Sequence, residues 1–252
     1  MEKNLVFTHR LDLALRLVDT TSGRNVPGRS ISVFADDEPM HFAEKSDQVL
    51  VFQNLRKRKF RMKIVSPAFE AAEADVDLDA MGKGLPMLEI HMVPGEQYPG
   101  GTDFLTLRGT LPGIGELSAV RLGDNACLIR EFDPRKRLAK IFNPHRLALD
   151  RVQYALVDPD RGVYEPFRIL RLVDNQTLKV DRVLEMPFRN YFPITPEVFG
   201  KTWLDGSYCL RLRDEGRDAR WLVRWTKDGE SCFRTVDFRK TEHPLLEKEG
   251  GG

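Results

Sequence analysis

Five histidines, His9, His41, His91, His145 and His243, are the obvious metal ligands of this chain, and their spacing matches no local metal motif, which leaves only a site converging from distant residues. A zinc site built on one element uses ligands a turn apart, as in HExxH, or draws on paired CxxC cysteines. No two of these histidines lie within five residues of each other, and none sits beside a CxxC. His91, in LEIHMV, alternates with Glu89 and reads as a strand-surface residue. Asp75, Asp77 and Asp79 have the carboxylate spacing with which a calcium loop opens. An EF-hand loop also needs glycine at its sixth position and glutamate at its twelfth. Counted from Asp75, those positions hold Ala80 and Pro86. Gly113 and Gly115 in PGIGELSAV start a dinucleotide-type glycine pattern, but Ser118 stands where the third glycine belongs. No GxSxG occurs. Cys127, Cys209 and Cys232 lie in the strand-like runs ACLIREF, SYCLRL and SCFRTV, where a thiol behaves as a small apolar side chain. The expectation is no catalytic residue, no cofactor and no metal.

Aromatic residues offer a different chemistry, that of contact. In RWLVRW, Trp221, Val223 and Trp225 share one strand face, either as a core stripe or as a platform for a sugar ring. The segment EMPFRNYFPITPEVFG (185–200) shows no strand period and reads as a long aromatic loop. Aromatics with an arginine suit an interface hot spot. Phe188, Arg189, Tyr191, Phe192 and Phe199 are therefore the expected partner-binding residues.

Charge in the stretch FQNLRKRKFRMKI (52–64) looks at first like a nucleic-acid patch, since six of the eight residues 56–63 are Arg or Lys. Alternation says otherwise. Phe60, Met62 and Ile64 share one face, Arg61 and Lys63 the other, and Arg56 to Lys59 fall in a turn. The next strand offers Asp75, Asp77 and Asp79 outward and Val76 and Leu78 inward, so a solvated, self-balanced hairpin is expected. Residues 1–100 carry 13 basic and 15 acidic side chains and the remainder 26 and 23, so neither half has the basic excess of a nucleic-acid binder.

These residues must be positioned by strands. LDLALRLVD puts Leu11, Leu13, Leu15 and Leu17 on one face, with Asp12 and Arg16 on the polar one. SISVFA, VLVFQNL, KFRMKIV, ADVDLDA and MLEIHMV continue the pattern between Gly, Pro and Asp turns, as in an all-β sandwich. After VPGEQYPGGTD (93–103), more strand patterns follow, with two places for short helices, 144–152 and 195–204. Thr195 before Pro196 and Glu197 is a helix-start signal. The expected organisation is a β-sandwich module over 1–95, a linker at 96–103, and a larger irregular β-barrel or sandwich domain over 104–240. A tail spans 241–252. Apolar content of 41% and charged content of 31% suit a globular chain, and no membrane-length apolar run or signal peptide is seen.

The stretches LVDTTSGRNVPGRSISVFA and VFQNLRKRKFRMKIVSPAFEAAEADVDL carry a resemblance. Asp19, Ser22, Gly23, Phe52, Asn54, Leu55 and Phe60, with Pro67-Ala68-Phe69 at the corner, resemble the carboxypeptidase regulatory-like, or transthyretin-like, β-sandwich domain. The likeness covers about residues 11–95. The usual Asp-Gly before the aromatic strand is replaced by Ser46-Asp47-Gln48, and the usual turn glycine by the basic run. The resemblance implies a small folding, spacing or adhesion module without catalysis.

Together these features lead to the expectation of a non-enzymatic structural or adaptor protein of a larger assembly, in the style of phage-tail or injection-particle components. Its partners would be proteins, homo- or hetero-oligomeric, at a cytoplasmic address. A carbohydrate- or ligand-binding β module is the alternative, and an enzyme whose site converges from distant residues the second alternative.

Overall fold

Strand periodicity along the chain becomes strand pairing in a computed structural model that describes residues 11–81, 84, 86–95, 97–99, 104–123, 127–187, 191–213 and 220–237. The chain forms two compact units, Met1–Asp19 with Asn25–Pro99, and Thr20–Arg24 with Gly100–Gly252. The division falls within the glycine- and proline-rich stretch 93–103. The fold is all-β. Gly28–Ser30, a single 3-10 turn, is the one helical element among the described residues.

In the first unit, β1 (Leu11–Asp19), β2 (Ser32–Ala35), β3 (Glu38–Pro39), β4 (Ala43–Glu44), β5 (Leu50–Gln53), β6 (Lys59–Val65), β7 (Ala72–Asp77) and β8 (Met87–Met92) make two four-stranded sheets. Their orders are β4-β5-β1-β8 and β3-β2-β6-β7. Leu13, Leu15 and Leu17 of β1, Leu50 and Phe52 of β5, and Phe60, Met62 and Ile64 of β6 fill one core. Each such side chain contributes roughly 1.5–3 kcal/mol on burial. β1 lies between β5 and β8, and its second face is also covered, with Ala14 among Val49 and Val51. Asp12, expected to face water, is therefore only 3% exposed. Its carboxylate accepts the Leu55 N–H at 2.9 Å and faces the Arg58 guanidinium at 3.5 Å.

The basic run closes on acids. β6 and β7 pair antiparallel with Lys59 opposite Asp77, Arg61 opposite Asp75 and Lys63 opposite Glu73. Ion pairs join Lys59 to Asp77 at 2.8 Å, Arg61 to Glu73 at 2.6 Å, Arg58 to Asp79 at 3.0 Å and Lys57 to Asp36 at 2.9 Å. The hydrogen bond between Lys57 and Asp36 raises the ammonium's pKa and lowers the carboxyl's, and the one between Lys59 and Asp77 does the same.

The second unit contains β9 (Phe104–Thr110), β10 (Ile114–Leu122), β11 (Cys127–Asp133), β12 (Leu138–Phe142), β13 (Tyr154–Asp158), β14 (Val163–Phe167) and β15 (Ile169–Asp174). It continues with β16 (Thr177–Val180), β17 (Phe192–Phe199), β18 (Lys201–Thr202), β19 (Ser207–Arg213), β20 (Arg220–Lys227) and β21 (Glu230–Asp237). A ten-stranded sheet runs β15-β16-β12-β11-β17-β10-β20-β21, with β13 and β14 joined through β17, and β18-β19-β9 form a small sheet. Among the described residues, no ladder closes the large sheet into a barrel. Only Arg168 separates β14 from β15, so one stretch of chain pairs with β13 in its first half and with β16 in its second.

Neither expected helix forms. Over 144–152 the Asn143 side chain replaces helical hydrogen bonds. Its Oδ1 accepts the Leu147 N–H and its Nδ2 donates to the Leu147 carbonyl, each at 2.9 Å. Over 195–204, Thr195 to Phe199 belong to β17, whose ladders with three other strands outweigh a local helix-start signal.

Candidate partner-binding face

The aromatic segment 185–200 proves to be half strand. β17 pairs with β11 through Phe192–Ile194, with β13 through Ile194–Pro196 and with β10 through Glu197–Phe199. Because its neighbours change along its length, its buried side chains follow no single period. Phe192 and Phe199 turn inward, Phe192 into the core with Ile129, Tyr154 and Phe167. These two are packing residues rather than the loop contacts that the sequence suggested. Phe188 and Arg189 lie outside the described residues.

Tyr191 keeps the expected exposure at 51%. Its φ is 72°, in the left-handed region, which costs an L-residue roughly 1–2 kcal/mol. Its N–H donates to the Ile129 carbonyl at 2.9 Å, and the Arg130 guanidinium lies 5.7 Å from its ring centroid. A bulky residue held in this conformation is the kind of local strain that gathers at functional surfaces.

Register places the neighbours of Tyr191. Leu128 stands opposite both Pro193 and Phe142, and Glu131 opposite Lys140. Lys140 is opposite Thr177, and Lys179 is opposite both Leu138 and Arg171. All these side chains point away from the core, since Ile129, Ala139, Ile141, Leu178 and Val180 occupy the other face. The outer face of β11, β12, β16 and β15 thus carries Lys140, Lys179 and Arg171 beside Phe142.

β15 ends the sheet. Its register with β16 shifts between Ile169 and Arg171 and again between Leu172 and Asp174, leaving Leu170 and Val173 as bulged residues. Bulges interrupt the outer row of N–H and C=O groups and so discourage a further strand from adding. Their side chains remain available. Leu170, Leu172 and Val173 are exposed at this edge, Leu172 at 58%. Leu172 stands opposite the buried Leu178 and so on the other side of the sheet from Arg171 and Lys179, and Phe142 is exposed on the outer face. The sequence ILRLVD shows this in part, since Leu and Val occupy both parities of a strand with no partner on one side.

Behind β14 lies a separate feature. A cavity of about 840 Å³ is lined by Arg161, Tyr164, Arg182, Val183, Met186 and Phe233 among others. The Glu165 carboxylate fixes its wall by accepting the Glu185 N–H at 2.8 Å and the Met186 N–H at 2.7 Å. The Tyr164 hydroxyl turns inward to Ser118 at 2.7 Å, and Glu197 accepts from Gln153 at 2.6 Å. Burial pushes the Glu197 carboxyl and the Tyr164 phenol above their usual pKa values. The network extends to Ser118, which also bonds Glu197, and to Arg168, which donates to Gln153 at 3.3 Å. Its polar atoms are spent on one another, as in a structural core network.

Other sequence candidates fall in place simply. Cys127 and Cys209 are buried and Cys232 half-buried, all as free thiols, and burial raises the Cys127 pKa to about 11. Trp221 and Trp225 pack in a core with Leu117, Leu210 and Val223, which removes them as a sugar platform. His91 faces Glu89 at 3.4 Å. Among the described residues, no group of three or more His, Cys, Asp or Glu is placed to hold a metal, and no helix is long and apolar enough to cross a membrane.

No protein-family model matches the chain, and no curated protein matches it. Among solved structures, a chimeric titin Z1Z2-Z1Z2 tandem functionalized with a GRGDS exogenous peptide from fibronectin aligns over 91% of this chain and 97% of that one. It is 8% identical with a TM-score of 0.16, a likeness too slight to carry an argument about fold or function.

Proposed function

We propose that the chain is a non-enzymatic docking module of a larger protein assembly, holding a protein partner on the outer face and edge of β11, β12, β16 and β15. The carrying observation is the uncovered aliphatic edge, Leu170, Leu172 and Val173, on a strand whose bulges favour side-chain contact over strand addition. Tyr191, strained and exposed beside Arg130, adds the aromatic–arginine pairing common at interface hot spots. The transthyretin-like reading of the first unit and the phage-tail-style assembly role belong to this proposal and rest on the sequence. The carbohydrate alternative loses its main support with Trp221 and Trp225 in the core.

A photo-crosslinking residue placed at Leu172, with a second at the exposed Val65 as control, tests the proposal in cells that make the protein. The expected result is a discrete protein adduct from position 172, identified by mass spectrometry and lost on Tyr191→Ser. The same adducts from both positions, or none from position 172, would overturn it.

A further inference from the structure

The docking reading leaves the character of the partner open, and the distribution of charge narrows it. Residues 127–142 and 169–180, which contain the four strands and their turns, hold seven basic side chains: Arg130, Arg135, Lys136, Arg137, Lys140, Arg171 and Lys179. They hold three acidic ones, Glu131, Asp133 and Asp174. These two hairpins therefore carry +4 in a chain whose total is +1, and everything else sums to −3.

The acids present are already engaged. Glu131 is bound to Lys140 at 2.6 Å, and that hydrogen bond lowers its pKa. Asp133 accepts the Lys136 N–H at 3.1 Å, and Asp174 accepts the Gln176 N–H at 2.8 Å. Among the bases, Arg137 donates to the Asp181 carbonyl at 2.6 Å and Lys179 donates to the Lys136 carbonyl. A backbone carbonyl orients these cations without cancelling their charge. In the first unit, by contrast, each base of the run 57–59 has a carboxylate within 3.0 Å.

We infer, on the strength of the docking reading, that the partner segment is acidic: an extended protein stretch with Asp or Glu side chains set among apolar ones. The carboxylates would meet Lys179 and Arg171 on the outer face and compete with Glu131 for Lys140, while the apolar residues would cover Phe142 on that face and wrap the sheet edge onto Val173 and Leu172. The exposed aliphatic edge favours protein over nucleic acid, whose phosphates give such side chains nothing to bury against. A single-stranded nucleic acid would instead use stacking aromatics across the face.

The test uses the full chain and three fluorescent probes: a peptide alternating Glu with Val and Phe, the same peptide with Lys for Glu, and oligo-dT. The acidic peptide is expected to bind, more weakly as salt rises. The charge-reversed variant K140E/R171E/K179E should lose at least about tenfold in affinity for it and gain affinity for the Lys peptide. Reversing Arg56, Lys57 and Lys63 in the first unit should change nothing, which controls for general charge. Tighter binding of oligo-dT than of the acidic peptide would overturn the inference, as would no binding of any probe. Equal binding of both peptides, lost on Leu172→Asp but indifferent to charge reversal, would sink the acidic partner while leaving the docking face standing.

Discussion

Two basic regions of this molecule, the β6–β7 hairpin and the pair of hairpins β11–β12 and β15–β16, hold similar numbers of Lys and Arg side chains, six over 56–79 and seven over 127–142 with 169–180. They differ in the acids that answer them, five against three. On β6 and β7, each outward base of β6, Lys59, Arg61 and Lys63, meets an acid across the ladder, and Lys59, Arg61 and Arg58 pair with Asp77, Glu73 and Asp79. On β11, β12, β16 and β15, one acid, Glu131, stands opposite Lys140, while the other opposed positions are Lys140 and Thr177, and Lys179 and Arg171. There only Lys140 is answered, Lys179 and Arg171 face each other without an acid, and exposed aliphatic side chains line the adjoining edge. A basic run becomes a surface patch only when its neighbouring strand fails to answer it. That depends on pairing, which short-range sequence does not show.

Charges that close on a partner should cost stability when removed, and open ones should not. The largest loss is expected at Glu197, whose removal in Glu197→Ala leaves Gln153 without its acceptor in the interior. Urea melts should show a fall of about 3 kcal/mol. Asp12→Ala should cost about 2 kcal/mol, because a buried carboxylate that ties the Leu55 N–H and Arg58 to the core is lost. A loss under about 0.5 kcal/mol in either would mean that the closed networks are not structural. Tyr191→Gly relieves left-handed strain but gives up a ring–guanidinium contact and adds chain entropy. These nearly cancel, so melts should move by less than about 1 kcal/mol while the photo-crosslink from position 172 disappears. Smallest of all, Leu172→Ser should leave folding stability within about 0.5 kcal/mol of the parent, since its side chain is already in water.

Glu197 also fixes a pH signature. Its folded pKa is raised by burial above the usual 4.5, so the native state holds this proton more tightly than the unfolded chain does. The stabilisation is full below about 4.5 and is lost as pH rises through the folded value. Relative to Glu197→Gln, the parent should therefore lose stability as pH rises from about 4.5, measured as the difference between paired urea melts. A difference that stays flat, or that runs the other way, would contradict a buried, protonatable Glu197.

Much of the architecture is legible in the residues, and for a plain reason. Strands such as KFRMKIV have one wet face, so their period survives into sequence, and Phe60, Met62 and Ile64 are where alternation puts them. β1 is covered on both faces, which hides the burial of Asp12 from a reading by alternation, and β17 changes neighbours along its length, which makes Phe192 and Phe199 read as loop residues. The Thr195-Pro196 signal was a local rule overridden by ladders to distant strands, and at 144–152 one asparagine side chain outweighed a helical pattern. Of the candidate face, Tyr191 was found by composition. Leu170, Leu172 and Val173 were missed because an edge is defined by what does not pair with it.

The most direct test of the docking face is an amide NMR titration of the full chain with the Glu-Val-Phe peptide. Shifts confined to Leu128–Phe142, Ile169–Val180 and Tyr191, with Lys59–Asp77 silent, are the predicted result. Shifts centred on Lys59–Asp77, or spread evenly over both basic regions, would contradict it.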